Sequence, residues 1–163
     1  PLIVYNVPGR TGVSCTPEHY ARLAEIPRIN GVKEASGDIS LVSRTRHLCG
    51  DALNIWSGND DQTLPMLALG AKGVISVASN IVPQVMATLC AAALSGDFFT
   101  ARAVHEAYAG LFDALFYEVN PIPVKTAMQM LGRDSGRLRL PLCPMAEGNA
   151  AKLQNCLESL QLL

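Results

Sequence analysis

The chain has 163 residues, of which 49% are hydrophobic and 17% are charged. This length suffices for one domain with a sizeable core, and the apolar content excludes a disordered segment. Thirteen Lys and Arg residues against fourteen Asp and Glu residues leave a net charge of -1. Such a balance provides no electrostatic surface for nucleic acid or for an anionic membrane, so neither is expected as a partner.

The cysteines indicate the cellular compartment of the protein, and the N-terminus indicates whether the chain is part of a longer one. The five cysteines are odd in number and widely spaced, so they predict neither a disulfide framework nor a zinc site, and they indicate a reducing cytoplasm. No apolar stretch reaches the roughly 20 residues of a membrane span, and no targeting signal is visible. Because the chain starts without Met, on an apolar run, we expect it to be a piece of a longer protein.

The first 96 residues alternate between apolar, strand-like runs and helical segments. Thr16 and Pro17 form an N-cap and first-turn pair for the first helix. Asp38 or Ser40 can cap the second helix, and Asp60 can cap the third. The predicted strands cover residues 2–6, 29–33, 53–57 and 73–77. The predicted helices that follow them cover residues 16–26, 38–49, 60–69 and 83–94.

From Asp97 onward the strand signals stop and only helical periodicity remains. The predicted helices of this part cover residues 97–117, 120–131 and 144–162. We therefore expect two units, residues 1–96 and residues 97–163, with the second a three-helix module.

The alternation in the first unit predicts an α/β fold. Near-continuous apolar strands separated by helices are typical of parallel strands covered by those helices. Four such units are too few to close an eight-stranded barrel, and an open four-stranded sheet would leave two unpaired edges. The sequence therefore predicts half of a (β/α)8 TIM barrel, completed by a missing segment or by a second copy of the chain.

Lys33 is the strongest candidate for chemistry, because it lies where a predicted strand ends. Active sites of parallel barrels form at that end of the strands. Val32 and Ala35 would partly desolvate the Lys33 amine, which would lower its pKa and leave neutral amine to attack a carbonyl. The alternative is a solvated lysine or an ion-pair partner of Glu34 or Asp38.

Two further residues follow the first strand. The phenol of Tyr5 could transfer protons beside a nascent imine, although a tyrosine on an apolar run is more often a core residue. The guanidinium of Arg10 suits a carboxylate, although a loop arginine is often only a surface residue. The turns after the third and fourth strands could instead hold a phosphate, but no glycine fingerprint supports this. The three histidines lack ligand-like spacing, so we expect no metal and no cofactor.

Five segments taken together resemble the dihydrodipicolinate synthase family of Schiff-base-forming, class I pyruvate aldolases. They occur in order and extend over essentially the whole chain. They are Tyr5-Asn-Val-Pro-Gly-Arg-Thr-Gly12, Gly31-Val-Lys-Glu-Ala-Ser-Gly-Asp38, Ser57-Gly-Asn-Asp60, Gly73-Val-Ile-Ser-Val77 and Asn120-Pro-Ile-Pro-Val-Lys125.

The resemblance implies the second half of the family's barrel, followed by its C-terminal helices. Lys33 would form an imine with pyruvate, Tyr5 would move protons, and Arg10 would bind the carboxylate of aspartate semialdehyde. The backbone near Gly58 and Ile75 would line the pyruvate pocket. It further implies a role in lysine and diaminopimelate biosynthesis and a homo-oligomer, usually a tetramer. The family's second tyrosine is absent from this sequence, so the chain alone should have negligible activity.

Two alternatives remain open from the sequence. An N-acetylneuraminate-lyase-like or sugar-acid aldolase would share the tyrosine and the lysine, and Arg10 would discriminate, since a semialdehyde carboxylate calls for a guanidinium. The other alternative is a non-catalytic half-barrel that serves assembly through its exposed sheet edges.

Overall fold

The computed structural model describes residues 1–163 as an α/β fold. The strands are β1 (Leu2–Asn6), β2 (Ile29–Glu34) and β3 (Asn54–Ser57). The helices are α1 (Pro8–Thr11), α2 (Pro17–Ala24), α3 (Ile39–Cys49), α4 (Thr63–Ala68), α5 (Pro83–Leu94), α6 (Phe98–Ala114), α7 (Ile122–Met130) and α8 (Glu147–Ser159). Short 3₁₀ turns cover Gly50–Ala52 and Ala78–Asn80. None of the helices combines the length and the apolar character needed to cross a bilayer.

The sheet has three parallel strands in the order β1-β2-β3, so the predicted strand over residues 73–77 is wrong in its extent. That segment forms only a single parallel bridge between Ser57 and Val74. The ladder stops there because the next amides have another acceptor. The N–H groups of Val77 and Ala78 donate to a carboxylate oxygen of Asp60, at 3.1 and 2.8 Å, and the chain turns into the 3₁₀ turn.

Side-chain caps begin two helices where the sequence predicted them. The Thr16 hydroxyl accepts from the His19 N–H at the start of α2, and the Asp38 carboxylate accepts from the Leu41 N–H at the start of α3. The predicted Asp60 cap of α4 is wrong, because α4 begins at Thr63 without a side-chain cap. The carboxylate of Asp60 is engaged instead by the amides that follow Val74.

The two faces of the sheet have different surroundings. Side chains alternate along a strand, so Val32 and Ile55 point to one face while Lys33 and Trp56 point to the other. The first face is covered by helices and contributes to a core of eight buried residues: Tyr20, Val32, Leu41, Val42, Leu53, Ile55, Met66 and Ala71. The second face is more exposed, and Tyr5 on that face is 47% exposed.

A second core joins the C-terminal helices to the segment that follows the sheet. It includes Ile81 and Met86 from that segment and Leu111, Ile122 and Leu153 from α6, α7 and α8. Burial of these side chains fixes α7 relative to the carboxyl ends of the strands. The stretch that leads into α7 therefore lies next to the end of the sheet where a site is expected.

Candidate active site

Lys33 lies near the carboxyl end of β2, beside Tyr5 of β1. The two residues are direct neighbours in the parallel register, with Trp56 of β3 on the other side of Lys33. The Nζ atom of Lys33 lies 4.3 Å from the centroid of the Tyr5 ring, which is the geometry of a cation–π contact. The structure thus brings together the amine and the phenol that the sequence singled out.

Burial is the largest influence on the Lys33 amine, and it lowers the pKa of Lys33 below its ordinary value. The negative charge of Asp60 opposes this shift, and the positive charge of Arg10 adds to it. The side chain is only partly buried. The net effect increases the fraction of neutral amine near neutral pH, which is the form that attacks a carbonyl.

Neither ion pair considered for Lys33 is formed. Glu34 points to the opposite face of the sheet, where it is 3% exposed and accepts hydrogen bonds from Asn6. Asp38 pairs with Arg44, at 3.3 Å. Lys33 forms no salt bridge to any carboxylate of the chain.

Gly58 lies against the Lys33 side chain, just after β3. A Cβ atom added at Gly58 would lie 3.2 Å from the Cε atom of Lys33 and 2.5 Å from the Cβ atom of Ala35. Its N–H donates to the carbonyl of Glu34, at 2.7 Å. Only glycine therefore allows the loop after β3 to approach the lysine this closely.

Arg10 and Ile75 lie farther along the same end of the sheet. Arg10 is exposed on α1, a one-turn helix that the sequence suggested only as a loop, and it donates to the carbonyl of Asn120, at 3.2 Å. Ile75 is 38% exposed, and its N–H donates to the carbonyl of Ser57, at 2.8 Å. Arg10 thus connects the loop after β1 to the stretch before α7.

A cavity of about 390 Å³ opens next to Lys33. Of the five predicted site residues, only Lys33 lines it, and the other walls come from the segment after β3 and from α7 and its flanks. Polar wall residues are Ser76, Asn80, Asn120, Lys125 and Asp134. A larger hollow of about 720 Å³ shares Pro121 and Lys125 but does not reach Lys33. We therefore regard the smaller cavity as the one relevant to amine chemistry.

Sequence reasoning missed three polar residues that contribute to this region. Lys125, assigned only to a helix, forms an ion pair with Asp134 at 2.9 Å in the cavity wall. Asp60, assigned as a helix cap, is 2% exposed and has one carboxylate oxygen without a hydrogen-bond partner. The sequence did contain a signal for two of them, because Asp60 and Lys125 both lie in segments that carry the family resemblance.

Fold and geometry together define an α/β protein that carries a partly desolvated lysine amine at the carboxyl end of a parallel sheet. The model of the dihydrodipicolinate synthetase family matches residues 1–160, and the chain belongs to that family. It is 50% identical over 163 residues to 4-hydroxy-tetrahydrodipicolinate synthase of Geobacter sulfurreducens, and 51% identical to the enzyme of the same name from Thermodesulfovibrio yellowstonii. Each alignment covers 100% of this chain and 56% of the relative.

Solved structures give the same result. The dihydrodipicolinate synthase of Aquifex aeolicus superposes with a TM-score of 0.97 at 44% identity, over 99% of this chain and 56% of the other. The chloride-inhibited synthase of Acinetobacter baumannii, complexed with pyruvate, superposes with a TM-score of 0.97 at 40% identity, over 100% of this chain and 56% of the other. The chain spans about half the length of the curated relatives it matches.

Proposed function

We propose that this chain is part of a class I, aldolase-type lyase that condenses pyruvate with aspartate semialdehyde, in lysine and diaminopimelate biosynthesis. The observation that carries the proposal is the Lys33 amine, with its pKa lowered by burial, 4.3 Å from the ring centroid of Tyr5. The family and the names of the relatives support the same chemistry.

The proposed reaction begins with the neutral Lys33 amine. It attacks the keto carbon of pyruvate, the resulting hydroxyl gains a proton and leaves as water, and a protonated imine remains. The imine accepts the electron pair of a methyl C–H bond as that proton leaves, which gives an enamine. The enamine carbon then forms a bond to the aldehyde carbon of the semialdehyde, and the aldehyde oxygen gains a proton. Tyr5 would move protons during imine formation and the carbon–carbon bond step.

Arg10, Gly58 and Ile75 are proposed to hold the substrates. The exposed guanidinium of Arg10 retains donors beyond its bond to Asn120 and would bind the carboxylate of the semialdehyde. The backbone at Gly58 and Ile75 would line the pyruvate pocket, and Gly58 is close enough to Lys33 to do so.

We further propose that residues 1–96 are half of a TIM barrel and residues 97–163 its C-terminal module. The more exposed face that carries Tyr5 and Lys33 would be the barrel interior, and Ile3 on it is 47% exposed. A longer polypeptide, assembled as a cytoplasmic homotetramer, would cover that face. The five free cysteines suit such a reducing location. The isolated chain should then show negligible turnover.

Reductive trapping tests the imine directly. The full-length protein and the 163-residue chain are each incubated with pyruvate and borohydride, and modified peptides are identified by mass spectrometry. We expect the full-length protein to gain pyruvate-derived mass at Lys33, and Lys33→Arg to abolish it. Lys72→Arg is the matched control, because Lys72 is exposed and borders the opposite end of the sheet. Absence of trapping in the full-length protein would favour a non-catalytic assembly module.

Arg10 tests the choice of acceptor. With Arg10→Ala we expect pyruvate trapping to continue while turnover with aspartate semialdehyde falls roughly 10-fold or more, the loss typical of a charge-assisted hydrogen bond. Arg22→Ala serves as control, because Arg22 is also exposed and lies outside the site. Equal or better turnover of sugar acids by the unmodified protein would instead indicate a sugar-acid aldolase.

A further inference from the structure

A buried polar cluster lies on the opposite face of the strands that carry Tyr5 and Lys33. Asn6 follows Tyr5 in β1, and Glu34 follows Lys33 in β2, so both point to the helix-covered face. They are each 3% exposed. The Nδ2 group of Asn6 donates to both carboxylate oxygens of Glu34, at 3.1 and 3.0 Å.

Glu34 is held entirely by neutral donors. Besides Asn6, the hydroxyl of Tyr20 donates to one carboxylate oxygen, and the N–H of Ser36 donates to the other at 2.7 Å. No cation forms a salt bridge with Glu34. Burial, and then the nearby Glu34, raise the pKa of Tyr20, so its phenol remains a donor. A buried carboxylate without a cation is costly, and packing alone does not require it.

Asn6 also connects this cluster to the loop that carries Arg10. Its Oδ1 atom accepts from the N–H of Cys15, at 3.2 Å, which closes the segment from residue 7 to residue 14. The last backbone bond between the two strands runs from the Ala35 N–H to the Asn6 carbonyl, at 2.9 Å. Beyond it β1 leaves the sheet, and the side chains of Asn6 and Glu34 make the remaining connection between the two strand ends.

We propose that Asn6, Glu34 and Tyr20 are positioning residues that fix the spacing between the Tyr5 phenol and the Lys33 amine from the far face of the sheet. This inference rests on the proposed function. The cluster would act through geometry, because a slip of one strand end moves its side chains on both faces together. A misplacement of about 1 Å can cost roughly 100-fold in rate.

An exchange of donor and acceptor tests the proposal. In the full-length protein, Asn6→Asp replaces the amide donor with a second carboxylate beside Glu34. Glu34→Gln replaces one accepting oxygen with an amide N–H₂ group that faces the donors of Asn6, Tyr20 and Ser36. The double variant N6D/E34Q restores the donor–acceptor match between positions 6 and 34, since the new amide donates to the new carboxylate. The new carbonyl can accept from the Ser36 N–H, and the Tyr20 hydroxyl, which can also accept, then faces the amide. We expect each single variant to lower kcat per trappable Lys33 by roughly 10- to 100-fold, and the double variant to return to within about 3-fold of wild type.

Three controls separate positioning from simple destabilisation. Counting sites by pyruvate trapping normalises kcat for the fraction of misfolded protein. Tyr20→Phe removes one donor while keeping the Glu34 carboxylate, and it replaces Glu34→Gln if that variant does not fold. Asn54→Asp changes an amide that bonds Asn30 near the other end of the same sheet, and should leave kcat unchanged. Single variants that lose thermal stability but keep wild-type kcat per trapped site would overturn the proposal. A lowered kcat in the single variants that the double variant does not restore would also overturn it.

Failure of the proposed function would give a different pattern. In that case wild-type protein would not trap pyruvate at all. The positioning of Lys33 can still be measured by its rate of acylation with a small amine-reactive ester as a function of pH. A changed profile in the single variants and a restored one in the double variant would support the cluster's role without reference to turnover, and unchanged profiles throughout would refute it.

Discussion

Gly58→Ala probes the close approach between the loop after β3 and Lys33. Gly58 has ordinary backbone geometry, so the substitution adds volume without backbone strain. The new Cβ atom would lie 2.5 Å from the Cβ atom of Ala35, 3.1 Å from the carbonyl oxygen of Glu34 and 3.2 Å from the Cε atom of Lys33. The lysine end can rotate away, but the other two atoms are tied to β2 and its end.

Relief of these contacts therefore requires the loop and the strand end to separate. Overpacking of this kind costs about 1–3 kcal/mol in unfolding free energy. The hydrogen bond from the Gly58 N–H to the Glu34 carbonyl, now 2.7 Å, would lengthen as they separate. Because Lys33 is displaced as well, we expect pyruvate trapping at Lys33 to slow by roughly 10- to 100-fold.

Urea unfolding and the initial rate of trapping measure the two effects in the full-length protein. Gly110→Ala is the matched control, because a Cβ atom there meets nothing within 4 Å, and alanine in a helix interior is favoured by up to about 1 kcal/mol. A Gly58→Ala protein with wild-type stability and trapping rate would refute the claim that the loop touches Lys33.

Three other changes test the site. Tyr5→Phe keeps the ring near Lys33 but removes the hydroxyl, so condensation by the full-length protein should slow by roughly 10²- to 10⁴-fold in steady-state assays. The thermal midpoint of the 163-residue chain, in which Tyr5 is 47% exposed, should change little. Lys33→Met removes a group whose folded pKa lies below its ordinary value of 10.5. The wild type gains stability as the pH rises from the folded pKa toward 10.5, so the stability of Lys33→Met relative to the wild type, measured by urea unfolding, should fall over that window. Asp60→Asn removes a charge that raises the pKa of Lys33, so the pH profile of Lys33 acylation should move to lower pH; an unmoved profile would contradict the assignment.

Local signals predicted most of the elements. The apolar runs of β1, β2 and β3 and the caps at Thr16 and Asp38 are read from neighbouring residues, and the structure has them. The fourth strand was predicted from the same kind of apolar run and fails, because Asp60 captures the amides of Val77 and Ala78. Val77 and Ala78 lie 17 and 18 positions from Asp60 in the chain, so the pattern of neighbouring residues could not predict these hydrogen bonds.

The site shows the same limit. Strand-end position identified Lys33 and Tyr5, since parallel register sets strand-end residues side by side. The contact between Arg10 and Asn120 spans 110 positions, and the ion pair of Lys125 with Asp134 in the cavity wall depends on how α7 packs. Such contacts follow from tertiary packing, so the sequence alone placed Lys125 only on a helix and left Glu34 open as one possible ion-pair partner of Lys33.

The pKa of Lys33 depends on segments that are far apart in the chain. Burial dominates the lowering of its pKa, while Asp60 and Arg10 act in opposite directions. The cavity beside Lys33 is also lined by Asn120 and Lys125 of the C-terminal part. The same C-terminal helices share a core with Ile81 and Met86, so their packing fixes the wall. We therefore infer that packing of the C-terminal helices shapes the cavity beside the amine as well as stabilising the fold.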